Sequence, residues 1–337
     1  MYEPVTIGVI NYNGGIFIEE CLSSIFKLDY PRYEVMVLDN KSTDQSLDIV
    51  KTKFPQVEVI ELNENKGHPA ARNILIHKAK TRLVLLMDND IVIAQDCLKL
   101  LVNSLITAPQ ASVCGPKVMY YDQPERVQFS LTYFHYIGGA ISAITHDEKP
   151  VEVGSVGGAT MLIDKDKVLP TGLYDADFFF GWTDGDFCLR QLVSGHKCLH
   201  VPKAIIYHKE KTRGLSRVFY QIRNRWFLIL KVYSLKTIVL IFPALFLYEL
   251  SLLMFCLLKG KAVEYFRANM AVVKELKSIM RKRRQFQTLR KVSDRDVLLT
   301  GRIMLKENII EKKFLRTVFH FLDLFFNMYW KVIKGFL

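Results

Sequence analysis

Two aspartates separated by one residue, Asp88 and Asp90, directly follow the apolar segment Leu83–Met87. In an extended chain residues i and i+2 lie on the same side, so the two carboxylates face one way. Such a pair binds a hard divalent cation, which proteins commonly share with the phosphates of a substrate. A solvated turn after a strand contains the same residue types, and by itself the pair favours that interpretation.

The segments that would position these aspartates alternate between β-rich and helical patterns over residues 1–120. Strands separated by one helix form βαβ units and a parallel sheet, and ligands bind beyond the carboxyl ends of its strands. Three polar clusters follow three strands, so we expect Asn11-Tyr12-Asn13, Asp39-Asn40 and Asp88-Asn89-Asp90 at one sheet edge. The predicted strands are Val5–Ile10, Tyr33–Leu38, Val57–Leu62 and Leu83–Met87, and the predicted helices are Phe17–Phe26, Asp44–Lys53 and Pro69–Ala79.

The pattern becomes less regular after residue 120. Residues 121–155 are polar and aromatic, which predicts a variable loop or a small β excursion. Gly157–Ile163 has the pattern of a further strand, and Asp184–Val193 that of a helix ending near Gly195.

Several motifs accompany the aspartates in a fixed order, and a chance coincidence of all of them would be rare. The set resembles the family-2 inverting glycosyltransferases of GT-A fold, in particular the rhamnosyltransferase-like branch. The resemblance extends from residue 5 to residue 230 or so, and implies a Rossmann-like, mixed but mostly parallel sheet flanked by helices. Its motifs are Asn63–Asn73, Asp88-Asn89-Asp90, Gly157-Gly158-Ala159, Gly172–Asp175, Phe179–Asp186, Arg190, Gly195, Tyr207-His208 and Tyr220–Arg225.

The resemblance implies a divalent cation, Mn²⁺ or Mg²⁺, that is held by Asp88 and Asp90 and bridges the two phosphates of a nucleotide-sugar donor. A nucleoside diphosphate leaves with extra negative charge, which a Lewis-acidic cation stabilises. His208 lies 24 residues after Asp184, where relatives carry a metal-ligating histidine. An imidazole ligand beside two carboxylates would favour Mn²⁺ over Mg²⁺.

Five residues are expected to bind the donor: Asn11, Asp39, Gly67, Arg72 and Asp88. At the position of Asp39 relatives hydrogen-bond the base or the ribose. An Asx turn that leads into Ser42 is compatible with that role. The guanidinium of Arg72 suits bidentate contact with a diphosphate, although a surface arginine on a helix is the alternative.

Asp184 is the predicted general base. In an inverting transfer the acceptor hydroxyl attacks from the face opposite the leaving group, and one carboxylate must take its proton. Trp182 is expected to stack on an acceptor sugar and Asp186 to contact the acceptor, although core packing for Trp182 and helix anchoring for Asp186 are alternatives. Relatives usually have Glu-Asp where this chain has Thr183-Asp184, which leaves the acceptor contacts and acidity of the pocket open.

Charge divides the chain into two parts. Residues 1–208 contain 19 Lys and Arg against 25 Asp and Glu, a net charge of −6, whereas residues 209–337 contain 27 against 9, a net charge of +18. We therefore expect a catalytic domain over residues 1–216 and a second region over residues 217–337. Because the basic region is also the apolar one, an anionic membrane surface is favoured over nucleic acid as its partner.

The second region contains two long apolar stretches, Thr237–Leu258 and Phe314–Leu337. If both crossed a bilayer, residues 259–313, with 16 Lys and Arg against 6 Asp and Glu, would have to be exported, contrary to the positive-inside tendency. We therefore favour helices that lie in or dip into the cytoplasmic leaflet, with a re-entrant hairpin and a true span as alternatives. Six scattered cysteines without a C-x-x-C pair also favour a cytosolic setting.

The predicted function is that of an inverting, metal-dependent glycosyltransferase with a nucleotide-sugar donor. Its predicted acceptor is a membrane-associated glycan, carried on a polyprenyl phosphate or diphosphate, in the synthesis of a cell-surface polysaccharide or glycoconjugate. Transfer onto polyprenyl phosphate itself, as in dolichyl-phosphate sugar synthases, and a non-catalytic scaffold that binds nucleotide sugars are the alternatives. No partnership with nucleic acid is expected.

Overall fold

The computed structural model describes residues 2–209, 217–302 and 313–337, with side chains from residue 320 onward in the last range. The chain divides into two compact units. The first comprises residues 1–131, 143–191 and 196–212, and the second comprises residues 132–142, 192–195 and 213–337. The expected boundary at residue 216 lies outside the described residues.

The strands of the chain are short, and most of those in the central sheet are buried. In chain order they are β1 (Val5–Asn11), β2 (Tyr33–Asp39), β3 (Glu58–Glu61), β4 (Leu83–Asp88), β5 (Ile91–Ile93), β6 (Ala111–Tyr120), β7 (Val127–Phe129), β8 (Leu131–His135), β9 (Gly139–Ala143), β10 (Val151–Val153), β11 (Thr160–Asp164), β12 (Lys197–His208) and β13 (Leu298–Leu299).

The helices are short in the first unit and long in the second. In chain order they are α1 (Ile18–Ile25), α2 (Ser46–Lys53), α3 (His68–Lys78), α4 (Cys97–Ile106), α5 (Lys165–Val168), α6 (Thr183–Val193), α7 (Val218–Val232), α8 (Leu235–Leu258), α9 (Ala262–Gln287), α10 (Asp294–Val297) and α11 (Lys313–Ile333).

The first unit is built on a ten-stranded sheet in the order β10-β12-β6-β11-β4-β1-β2-β3, with β5 paired to β12 and β7 to β6. Strands β3, β2, β1 and β4 are parallel, as the βαβ pattern predicts. β11 lies antiparallel between β4 and β6, and β10 is antiparallel to β12. The expectation of a mostly parallel sheet therefore holds for residues 5–88, whereas the rest of the sheet is mixed.

The core of this unit follows from the apolar runs of its strands. Every residue of β1 is buried, and the first five residues of β4 are buried as well. Helix α1 places Cys21, Leu22 and Ile25 in the same core. Residues 121–155 form the expected β excursion, and α6 ends before Gly195, whose φ of 90° suits glycine.

The second unit combines a three-stranded sheet, β13-β8-β9, with helices α7 to α11. Tyr136, Phe326 and Trp330 form one aromatic cluster there, with the Tyr136 and Trp330 rings stacked at 4.7 Å. Within the described residues α8 is the one helix long and apolar enough to cross a membrane, and 17% of its most apolar window is buried. Such a helix alone is weak support for a span.

Candidate functional site

The three polar clusters predicted from the sequence meet at one edge of the central sheet. In the strand register Asn11 lies opposite Asp39, and Ile10 lies opposite Asp88. The side-chain amide of Asn89 donates to Asn11 Oδ1 at 2.7 Å, which ties the third cluster to the first. The carboxyl ends of β1, β2 and β4 therefore form one polar surface.

Asn11 and Asp39 form a rigid base for this surface. Asn11 is buried, and its amide donates to Asp39 Oδ1 and Ser46 Oγ at 2.8 Å each. The backbone N–H of Ser42 donates to Asp39 Oδ2 at 2.9 Å, which is the Asx turn expected from the sequence. Both carboxylate oxygens of Asp39 are thus held before any ligand binds.

Gly67 begins helix α3 in a conformation that favours glycine, with φ of 79°. A Cβ atom at this position would lie 2.7 Å from the ring of Phe179 and 2.9 Å from its carbonyl oxygen. That carbonyl accepts from the backbone N–H of His68 at 3.1 Å. The glycine therefore lets the segment before α6 approach the start of α3 closely.

The segment before α6 is unusual in its backbone. Phe179 and Trp182 have φ values of 55° and 60°, a region that bulky residues rarely adopt. Strained conformations of this kind cluster at functional sites, where surrounding contacts hold them. Trp182 is half-buried and directly precedes the first turn of α6, which contains Asp184.

Arg72 is the centre of the charged side chains at this edge. It is completely buried, and its guanidinium donates to Asp184 Oδ1, to the Gly158 carbonyl oxygen, and to Asp88 Oδ1 at 3.4 Å. Burial opposes the charged form, but Asp184, Tyr174 and Asp88 together outweigh that cost, so the pKa of Arg72 lies above its ordinary value. Arg72 is buried among these groups in this structure, and its expected contact with a diphosphate stays a prediction.

Asp88 is held from two sides. Nε2 of His68 lies 2.7 Å from Asp88 Oδ1, and Arg72 contacts the same oxygen. Loss of solvation would raise the pKa of Asp88, but His68 and Arg72 outweigh it and lower the pKa to about 2. The carboxylate is therefore charged at neutral pH, with its other oxygen directed away from these two contacts.

Asp90 and His208 form a second pair in which His208 Nε2 lies 3.5 Å from Asp90 Oδ2. Nδ1 of His208 contacts Gln128 Oε1 at 2.9 Å, which fixes the ring with Nε2 toward the carboxylate. Asp90 Oδ1 is buried and has no hydrogen-bond partner within the part of the chain that the structure describes. An orphaned carboxylate oxygen beside an oriented imidazole fits a divalent cation.

The protein groups at this position do not form a complete metal cage. Within residues 2–209, 217–302 and 320–337, no three His, Cys, Asp or Glu side chains are arranged to hold an ion. Mg²⁺ is commonly held by one or two carboxylates with substrate phosphates supplying further ligands. Asp90 and His208 therefore fit a cation that also needs donor phosphates, with the charged Asp88 nearby along the chain.

Asp184 lies at the start of α6 with its side chain about a quarter exposed. A Cβ atom at Gly158 would lie 1.9 Å from Asp184 Oδ2. The motif Gly157-Gly158-Ala159 therefore provides the space that the Asp184 carboxylate occupies. Asp184 and Asp88 share Arg72, so the structure brings the predicted base to the predicted donor site.

Asp186 is located differently. Its side chain is completely buried, and its Oδ2 accepts from Arg190 Nε at 2.9 Å. Arg190 in turn donates to the carbonyl oxygens of Gly172 and Leu173 at 2.7 Å each. The geometry favours the anchoring role of Asp186 over the acceptor contact, because a buried ion pair holds the loop before α6.

Three contributors had no predicted role. His68 contacts Asp88, Gln128 orients His208, and the Tyr174 hydroxyl accepts from Arg72 Nη1 at 3.3 Å. His68 lies between Gly67 and Arg72, two residues that were assigned to donor binding, so its position at the start of α3 was a usable signal. Gln128 lies in the least regular stretch of the sequence, which gave no such signal.

The known proteins that this chain resembles in sequence are glycosyltransferases. Residues 6–166 match the model of glycosyl transferase family 2. The poly(ribitol-phosphate) beta-glucosyltransferase of Bacillus spizizenii is 40% identical over 100 residues, which cover 28% of this chain and 16% of that protein. Glycosyltransferase GlyA of Streptococcus pneumoniae is 25% identical over 229 residues, covering 64% of this chain and 32% of that protein.

A solved structure supports the fold at low sequence identity. GalNAc-T7, crystallised with UDP, GalNAc and Mn²⁺, superposes with a TM-score of 0.63 at 15% identity, covering 72% of this chain and 50% of that one. The expected GT-A-like mixed α/β fold is thereby confirmed. The chain spans less than a third of the length of the two curated relatives described above.

Proposed function

The chain belongs to glycosyl transferase family 2 through residues 6–166, and we propose that it is an inverting, metal-dependent glycosyltransferase. In this proposal a nucleotide-sugar donor transfers its sugar to a membrane-associated glycan during the synthesis of a cell-surface polysaccharide or glycoconjugate. The observation that carries the proposal is the pairing of Asp184 and Asp88 through the buried Arg72. One arginine thus links the proposed base to the proposed donor site.

Asp184 is the proposed general base. Arg72 contacts its Oδ1, and Gly158 leaves room for Oδ2. One oxygen is therefore held while the other can accept the proton of an acceptor hydroxyl. Since the attack must come from the face opposite the diphosphate, a single fixed carboxylate accounts for inversion.

The donor would lie across the carboxyl ends of β1, β2 and β4. The nucleotide would lie over the base formed by Asn11 and Asp39, beside the start of α3 at Gly67 and the Asp88 carboxylate. Asp90 and His208 are the proposed metal ligands, together with Asp88. A bound Mn²⁺ or Mg²⁺ would stabilise the negative charge of the departing nucleoside diphosphate.

The acceptor is proposed from two observations. The Bacillus spizizenii relative is named for transfer to poly(ribitol-phosphate), a glycan polymer, and the second unit exposes many large apolar side chains. A glycan attached to a polyprenyl carrier would be met at the cytoplasmic face of the membrane. Trp182, half-buried before Asp184, is the proposed stacking surface for the acceptor sugar.

The test is the release of nucleotide from a panel of UDP-, GDP- and dTDP-sugars by the full chain, without acceptor. We expect slow hydrolysis of one donor with Mn²⁺ or Mg²⁺, and none with a chelator. A chain that binds a nucleotide sugar with metal but releases no nucleotide, even with membrane glycan added, would favour the scaffold interpretation.

A further inference from the structure

Helix α9 presents two kinds of side chain on one outward face. Its buried side contains Tyr265, Ala268, Val272, Ile279 and Phe286. The opposite side carries exposed residues that are mostly three or four positions apart, which keeps them on one face of the helix. In order, these exposed residues are Val263, Phe266, Met270, Val273, Lys274, Lys277, Arg281 and Arg284.

The chemistry of this face, which we call the α9 stripe, changes at one point. From Val263 to Val273 the four members are apolar and 57–67% exposed, and the exposed Arg267 borders them. From Lys274 to Arg284 they are basic. The first half suits acyl chains, and the second half suits phosphate groups.

The orientation of α9 is fixed from within the second unit. Arg283 donates to the carbonyl oxygens of Leu230 and Tyr233 at 2.7 and 2.6 Å, at the end of α7. Tyr265 donates to Glu249 of α8 at 2.9 Å. The stripe is therefore held outward by contacts on the other side of the helix.

Helix α8 extends the apolar part of this surface. Glu249, the only charged residue between Thr237 and Leu258, turns inward and pairs with the buried Arg225 of α7. Beyond the exposed Lys236 in its first turn, the outward side of α8 is largely apolar. Its large exposed members are Leu235, Val239, Phe242, Phe246, Leu250, Met254, Leu257 and Leu258.

The charge of this surface distinguishes between a second copy of the chain and a lipid membrane as its binding partner. Water-soluble monomers rarely expose apolar patches of this extent, so an occupant is required. A second copy would bring a basic stripe toward a basic stripe, because symmetric dimers use the same patch on both partners. An anionic leaflet matches both halves at once, with acyl chains for the apolar half and headgroup phosphates for the basic half.

We propose that the α9 stripe docks on an anionic lipid leaflet, with its apolar half among acyl chains and its basic half against headgroup phosphates. The apolar half covers about 17 Å of helix at about 1.5 Å per residue, which is too short for a hydrocarbon core about 30 Å thick. The stripe therefore enters one leaflet and does not span the bilayer. This inference deepens the membrane association in the proposed function and rests on it.

The test is flotation of the full chain with vesicles of phosphatidylcholine alone or with 30% phosphatidylglycerol. We expect strong binding to the anionic vesicles, which declines with salt. Combining Lys274→Gln, Lys277→Gln and Arg281→Gln should weaken that binding about a hundredfold, since each basic residue near the surface contributes roughly fivefold. Binding to neutral vesicles should stay unchanged.

Two further variants separate the halves of the stripe. Phe266→Gln with Met270→Gln should weaken binding to both kinds of vesicle. Lys27→Gln with Lys78→Gln removes exposed charges from the first unit and should change neither. Nucleotide release in solution, measured on every variant, reports the proposed function separately and should not change.

Equal binding of the wild-type chain to both vesicles, or binding to neither, would overturn the proposal. So would a dimer in solution that Phe266→Gln with Met270→Gln dissociates, because a second copy would then cover the stripe. If the wild-type chain binds anionic vesicles but releases no nucleotide, the result would contradict the proposed enzymatic function and still support the proposed lipid-binding surface.

Discussion

In the first unit Arg72, Asp186 and Arg190 are charged side chains that lie in the interior, whereas in the second unit Phe242 and Phe266 are more than half exposed. Burying charge carries a desolvation cost that pairing only partly offsets, so such pairs are weak support for stability. Soluble proteins rarely expose extended apolar patches, and those that do use them to bind a partner or a membrane. The first unit therefore holds carboxylates in fixed positions, whereas the second unit presents an apolar surface suited to a lipid membrane.

Asp184→Asn tests the proposed general base of the first unit, and among these variants it should have the largest effect on nucleotide release. The amide keeps the shape of the side chain but cannot take a proton, so nucleotide release should fall 10²–10⁴-fold, the usual contribution of a general base. Binding of donor and metal should persist in the same variant. Asp166→Asn, an exposed carboxylate outside the site, is the control. Near-normal turnover would reject Asp184 as the base.

Low pH should reduce the folding stability of both units, because each unit buries a histidine whose neutral form is favoured by burial. Burial lowers the pKa of His200 in the first unit and of His135 in the second to about 4. Below the unfolded pKa of 6.5 the unfolded chain binds protons that the native chain does not, so stability falls as pH drops from 6.5 toward 4. His200 alone should account for about 3 kcal/mol of unfolding free energy over that interval.

Urea unfolding at pH 7 and pH 4.5 measures this loss. His200→Gln should make stability less dependent on pH, because glutamine does not titrate in this range. Its amide can still contact Ser130, which lies 3.0 Å from His200 Nε2. Carboxylates such as Asp88, with a pKa near 2, should add to the loss only below their unfolded pKa. An unchanged pH dependence in the variant would show that His200 titrates normally in the native state.

Gly158→Ala tests whether the space beside Asp184 matters. The added Cβ would lie 1.9 Å from Asp184 Oδ2, so the carboxylate must move away from its position. Displacement of a reacting group by about 1 Å can cost about 10²-fold in rate. Gly139→Ala, where the nearest atom would be 3.5 Å from the new Cβ, is the matched substitution. Full activity in Gly158→Ala would mean that Asp184 does not act from this position.

Gln128→Leu tests the proposed metal ligand His208 and should have a smaller effect, on the affinity for Mn²⁺. Without its contact to Nδ1 the His208 ring loses its orientation, and partners of this kind typically contribute 10–100-fold to metal affinity. The Mn²⁺ concentration for half-maximal nucleotide release should rise by that factor, whereas the rate at saturating Mn²⁺ changes little. An unchanged Mn²⁺ requirement would exclude His208 as a ligand.

Phe246→Gln should have the smallest effect on stability. Its side chain is exposed in the second unit, so the unfolding free energy should change by less than about 0.5 kcal/mol. Leu85→Ala, in the buried core of the first unit, should cost about 2–5 kcal/mol in the same measurement. A large loss in Phe246→Gln would mean that this face packs against protein, which would remove the contrast between the two units.

The sequence predicted the sheet edge well because its signals are local. Strands β1, β2 and β4 are continuous apolar runs that each end in a polar cluster, and parallel pairing must bring those ends together. Strand β12 was not predicted, because Pro202 and Lys203 interrupt its apolar pattern at a register shift between Val201 and Ile205. Helix α4 and strand β6 were also missed.

The role of Arg72 could not be read from the sequence for a different reason. Its partners Gly158, Tyr174 and Asp184 lie 86 to 112 residues away along the chain. Only the folded sheet, with β11 placed next to β4, brings them to the guanidinium. An arginine that suits a diphosphate suits two carboxylates equally well, and residue type alone does not distinguish them.

The most direct measurement of the central claim is a thermal shift with nucleotide sugars, with and without Mn²⁺. A ligand at 100 times its dissociation constant stabilises the native state by about 2.7 kcal/mol. One donor with Mn²⁺ should therefore raise the Tm for unfolding of the first unit by several degrees. Asp90→Asn should lose the part of the shift that depends on Mn²⁺. No shift with any nucleotide sugar and metal would contradict a donor site at this sheet edge.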